Sequence, residues 1–188
     1  MDWASRDRFY RRNVIGVSAV EFLWGLGLPV VVESTFLQLF LDSLGASRLG
    51  LGLIPFFFIL GTSVFALLSS YWTEGLAFKR EAVVWLHVVS GAALLAFGGI
   101  LLLVDPERSV MGVFFACYAV FSVCVGMTLP VWLNYLVKIF SPERTVSGLG
   151  AMLVAQNLAK LASSLALVEI VERWAFDRGA AGLVFLAV

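Results

Sequence analysis

Five long apolar runs set the terms for this chain: Val14 to Leu41, Leu49 to Trp72, Ala82 to Val104, Val110 to Val137 and Val146 to Val168. Each is long enough to cross a hydrocarbon core of about 30 Å as an α-helix rising about 1.5 Å per residue. Strands of a membrane barrel alternate apolar and polar residues, and these runs do not alternate. With 61% hydrophobic and only 14% charged residues, the chain lacks the polar faces a water-soluble domain of this size needs. The expected fold is an all-α integral membrane protein.

A sixth run, Gly179 to Val188, is too short to span and ends on "GLVFLAV" without a polar flank, so it is expected to be a span cut short. Five complete transmembrane helices plus this truncated sixth form one bundle over residues 13–188, behind an N-terminal tail at 1–12. The first run is too long for a cleavable signal segment and lacks a small-x-small site, so Arg6, Arg8, Arg11 and Arg12 flank a retained span. Lys and Arg number eight in the tail and the second and fourth loops, against four in the first, third and fifth. The positive-inside rule then places the N-terminus in the cytoplasm, in a plasma (inner) membrane. Net charge is zero, so no basic surface suggests a nucleic-acid partner; the bilayer is the expected surroundings.

Three prolines fall inside runs. Pro29, Pro55 and Pro130 deprive the carbonyls of Gly25, Leu51 and Gly126 of their helical hydrogen bonds. Because "WGLGLP" adds Gly25 and Gly27 to the break at Pro29, the first span is expected to be a bent, cavity-lining helix. The fifth run carries a small-residue stripe, Ser147, Ala151, Ala155, Ala159 and Ser163, of the kind that lets helices approach closely. Beside it runs a polar stripe of Gln156, Asn157, Lys160 and Ser164.

Three ionisable residues lie deep in the runs: Glu21, Glu33 and Lys160. Each costs about 2.5–3.5 kcal/mol at the bilayer centre on insertion scales, so each is expected to pair or to face water. Glu21 and Glu33 stand about 18 Å apart along one helix and cannot share a proton as a dyad. Lys160 lies closest in depth to Glu33, so we expect Lys160 to face a central cavity, paired with Glu33 or awaiting an anionic group; a purely structural pair is the alternative. Gln38, Asn134, Gln156 and Asn157 are further candidates for a solute or coupling ion. His87 reads as an interfacial anchor ahead of a proton relay, and Trp132 and Tyr135 as aromatic belt first and substrate platform second.

No catalytic constellation is visible. One histidine and separated glutamates supply neither a nucleophile with its base nor a metal set, and Cys117 and Cys124 read as packed thiols, so no enzyme activity, cofactor or metal is expected.

Taken together, the polar first span, the short loop "LGASRLGLGLIP" into the second run and "SPERTVSGLGAML" between the fourth and fifth resemble the N-terminal six-helix half of the major facilitator superfamily. Arg144 and Gly148 stand where that family has a basic loop and a glycine. "SYWTEGLAFKR" offers Glu74, Lys79 and Arg80 where the family has an acid and a basic turn, although Ser70 replaces its glycine. The span-four arginine of many proton-coupled members and the span-five glycine-proline motif of drug antiporters are absent. The resemblance implies a secondary active transporter of a small solute. In it, spans one and four line the cavity, two and five flank a second six-helix half that is missing here, and three and six face lipid. A non-transporting membrane assembly protein, whose buried polar groups only fix helix packing, is the competing expectation.

Overall fold

The computed structural model describes residues 8–32, 35–76, 79–103, 110–174 and 177–187. They form α1 (Tyr10–Val31), α2 (Thr35–Ser43), α3 (Arg48–Thr73), α4 (Lys79–Leu103), α5 (Val110–Ile139), α6 (Pro142–Trp174) and α7 (Arg178–Ala187). Among the described residues, five helices are long and apolar enough to cross a membrane: α1, α3, α4, α5 and α6. This is a multi-pass helical membrane protein.

The first apolar run is not one helix. α1 stops at Val31, after the β-branched Val30 and Val31 that follow Pro29, and the run from Thr35 on belongs to a separate short helix, α2. α2 buries Phe36, Leu37, Phe40 and Leu41, and its Phe40 meets Phe97 of α4 and Phe185 of α7. The turn that follows needs Gly45 at φ +82°, and Ser47 then caps α3 by accepting from the Gly50 amide at 3.1 Å. The sixth run forms α7, which packs along α4.

Helices pair in a pattern that chain order alone does not give: α1 lies along α6, α3 along α5, and α4 against both α5 and α7. Two of these pairs are built alike. α1 carries "GLGLPV" (Gly25 to Val30) and α5 carries "GMTLPV" (Gly126 to Val131), with Gly, Leu, Pro and Val in register. A Cβ on Gly25 would overlap the Gln156 carbonyl of α6, and one on Gly126 would overlap the Gly61 carbonyl of α3. Beside both glycines a serine of the partner helix donates to the next carbonyl: Ser163 to Leu26 at 2.6 Å, Ser69 to Met127 at 2.7 Å. Each pair therefore combines a backbone-to-backbone approach with an outside donor for the carbonyl next to the one that the proline deprives. α1 and α5 themselves run in opposite directions, so the two pairs form an inverted repeat. The Gly61–Phe65 segment of α3, facing Ser122 and Gly126, widens into a π-helical turn where the two backbones meet.

Apolar clusters close the two ends of the bundle. One gathers Val30, Phe40, Phe97, Phe114, Tyr118 and Phe185, with Phe97 and Phe185 ring centroids 4.9 Å apart. The other, toward the N-terminal end of α1, contains Val17, Val131, Leu136, Phe140 and Met152.

Gly126→Ala should lower the thermal stability of the purified protein, because the new methyl meets a backbone carbonyl that cannot step aside; overpacking of this kind costs about 1–3 kcal/mol. Gly99→Ala, with nothing within 4 Å of the new carbon, should leave the melting temperature unchanged or slightly raised.

Candidate functional site

A carboxyl group inside an apolar bundle needs donors, and Glu21 obtains them from two other helices. Trp132 of α5 donates its indole Nε1 to Oε1 at 2.7 Å, and Gln156 of α6 donates Nε2 to Oε2. Glu21 is 8% exposed and Trp132 equally so. One acidic side chain thereby joins three membrane-crossing helices.

The same contact belongs to a ladder between α1 and α5. Asn13 Nδ2 donates to the Ile139 carbonyl at 3.1 Å, Trp132 to Glu21, and the Tyr118 hydroxyl to the Val31 carbonyl at 3.0 Å. The rungs run antiparallel along nearly the whole of α1. They hold the helices through long side chains, and backbone packing of α1 against α4 and α5 is correspondingly sparse.

The space left open is a cavity of about 810 Å³ between α1, α4 and α5. Its wall is largely apolar: Val17, Val20, Trp24 and Val31 from α1, Val83, Val88 and Leu94 from α4, Phe121 from α5. Gly27 and Gly91 give it width. Arg12, Asn13 and Arg80 lie at one end. His87 stands in the wall with Nδ1 2.7 Å from the Val83 carbonyl, its ring edge-on to Trp24 at 5.5 Å. Trp132 separates the cavity from Glu21, with Tyr135 stacked on it at 5.7 Å.

The expected candidates distribute unevenly around this arrangement. Glu21 and Gln156 come together. Lys160, half-buried, lies one turn beyond Gln156 on α6, and Asn157 is exposed beside it. Asn134 is exposed and donates to the Pro130 carbonyl of its own helix at 3.0 Å. Gln38 lies exposed on α2, away from the cavity, because the first run splits into two helices. Glu33 lies outside the described residues, as do Arg6 and Arg108 of the loop-charge count. Of the loop residues, Glu74 is exposed at the end of α3 and Lys79 opens α4. Arg144 sits over the Tyr10 ring, 4.9 Å from its centroid, tying the starts of α6 and α1 together with the Tyr10–Ser147 hydroxyl contact at 2.9 Å.

Of the expected helix breaks, Pro29 and Pro130 mark the paired crossings, while Pro55 lies on an exposed face of α3. Gly27 lines the cavity and α1 supplies much of its wall, while α1 continues as one helix through Gly25, Gly27 and Pro29 rather than breaking there. α4 forms the third wall, whereas the resemblance places its span toward lipid. Trp132, Tyr135 and His87, expected at the interface, instead surround the cavity and the Glu21 contact. Sequence reasoning missed their role because only the α1–α5 pairing brings Trp132 to Glu21.

Comparison with protein families, with curated proteins and with solved structures finds no match to this chain.

Trp132→Phe should keep the ring packing on Tyr135 but remove one donor to Glu21. Hydrogen bonds between membrane helices are worth about 0.6 kcal/mol on average and up to about 1.7 kcal/mol, so a modest drop in unfolding free energy in detergent is expected. Asn134→Ala, which removes only a contact within its own helix, should change that free energy by less than about 0.5 kcal/mol.

Proposed function

We propose that this chain is one half of a secondary transporter, carrying a small solute across the membrane by alternating access. The observation that carries the reading is the inverted repeat of a proline-disturbed helix held at a glycine by a parallel partner, α1 on α6 and α5 on α3. Inverted repeats with broken helices near the membrane midplane are the plan of many secondary transporters, which place substrate and ion sites at those breaks. The resemblance to the N-terminal half of the major facilitator superfamily points the same way.

In this reading Glu21 and Gln156, with Asn157 and Lys160 next to them on α6, bind the solute or a coupling ion. A second six-helix half completes the path, and the protein sits in a plasma (inner) membrane with its N-terminus cytoplasmic. The spare volume between α1 and its neighbours lets α1 shift against α5 without breaking a close backbone contact.

One observation favours a second reading. The Glu21 carboxyl group already has two protein donors, as a residue that only fixes helix packing would. In a non-transporting assembly protein, the Glu21–Trp132–Gln156 contact would be replaceable by apolar side chains.

Solutes that raise the melting temperature of the purified protein identify ligands to follow for uptake into vesicles carrying it. Uptake of such a solute should fall at least tenfold in Lys160→Ala, with the melting temperature within a few degrees of wild type. Unchanged uptake in Lys160→Ala would contradict the assignment of that residue. A Glu21→Leu, Trp132→Phe, Gln156→Leu triple variant that keeps full cellular function would favour the assembly reading.

A further inference from the structure

The cavity between α1, α4 and α5 has a shape and a charge pattern that the solute-binding residues on α6 do not account for. None of its lining residues comes from α3 or α6. Its lining residues on α1 run from Arg12 to Val31, about 28 Å of helix. It is an elongated slot running parallel to the helices across most of a hydrocarbon core of about 30 Å. An extended chain matches that length.

Its two ends differ. The far end, at Val31, Leu94 and Phe121, is apolar. The near end carries Arg12 and Arg80, with Asn13 beside them, and no carboxylate lines the slot among the described residues. Arg12 is exposed and its guanidinium lies over the Phe9 ring, 4.5 Å from the centroid. Such a stacked guanidinium keeps its planar donor fork available for an anionic group. Both arginines lie at helix starts, where a membrane-spanning helix meets the headgroup layer.

The slot also has a side opening. Along the gap between α1 and α4, the lining residues Leu23, Val84 and Val88 are 65%, 50% and 53% exposed. Ile15 and Trp85 continue this apolar rim. Surface of this kind, in the apolar stretch of spanning helices, faces acyl chains, so a ligand enters sideways from the bilayer.

We propose that this slot binds a bilayer phospholipid with an anionic head: one acyl chain lies between α1, α4 and α5, and the phosphate is held by Arg12 and Arg80. The bound chain completes the packing of α1 on the side where α5 holds it mainly through side-chain rungs. The site does not depend on the transport reading and stands if the protein transports nothing.

Native mass spectrometry of the purified protein, titrated with phosphatidylglycerol and phosphatidylcholine, tests it. One phosphatidylglycerol should be retained with at least tenfold preference over phosphatidylcholine. Arg12→Gln with Arg80→Gln should erase the preference. Gly91→Phe should reduce lipid retention at least tenfold by blocking the slot, whereas Gly91→Ala, with nothing within 4 Å of the added carbon, should not. Equal retention of the two lipids, or undiminished retention in Gly91→Phe, would overturn the proposal. Displacement of phosphatidylglycerol by millimolar glycerol phosphate would likewise overturn it, assigning the arginines to a water-borne anion.

Discussion

A buried carboxyl group with donors from two neighbouring helices is the contact on which the arrangement of α1 depends. Glu21 takes one hydrogen bond from Trp132 on α5 and another from Gln156 on α6. Against α6, α1 also has close backbone packing at Gly25; against α5 it has mainly side-chain rungs at Asn13, Glu21 and Val31. Removing the acceptor would strand two donors in an apolar interior, at about 1–3 kcal/mol each, more than the bond from either donor contributes. The asymmetry between the two faces of α1 is what keeps a cavity open on one side and closes the other.

The repeat explains why the bundle tolerates prolines near its middle. At Pro29 and Pro130 the helix loses a backbone donor, and in both cases the partner helix approaches over a glycine and supplies a serine hydroxyl to an adjacent carbonyl. Small residues do this at little cost in lipid, where packing and hydrogen bonding, rather than exclusion of water, bring helices together. The small-residue stripe of α6 serves this end: Ser147 meets Tyr10, Ala159 is fully buried opposite Gly25, and Ser163 donates to the Leu26 carbonyl. Two oppositely directed helices built on one local plan connect this packing to the transporter reading, since such helices can exchange roles at the two sides of a membrane.

Much of the fold was legible because the solvent dictates it. An apolar run in lipid has to satisfy its backbone internally, so five such runs became five long helices. The split of the first run into α1 and α2 was not legible, since Phe36 to Leu41 is as apolar as the rest and its separate packing on Phe97 and Phe185 is a tertiary fact. In the candidate site, Glu21 and Gln156 stood out as costly polar residues and do meet. Trp132 and His87 resembled ordinary interfacial aromatics, because nothing local says which helix faces which. The inverted repeat was present in "GLGLPV" and "GMTLPV" but too short to register as a repeat without the matching glycine contacts and serine donors.

Hydrogen exchange measured residue by residue on the wild-type protein and on Glu21→Leu, in the same detergent, tests the central claim most directly. If Glu21 ties three helices together, exchange should quicken in α1 and also in the facing stretches of α5 around Trp132 and of α6 around Gln156, while α7 and the far end of α4 stay protected. Faster exchange confined to α1, or none at all, would show that the helices are held together by packing alone and that the Glu21 contact is incidental.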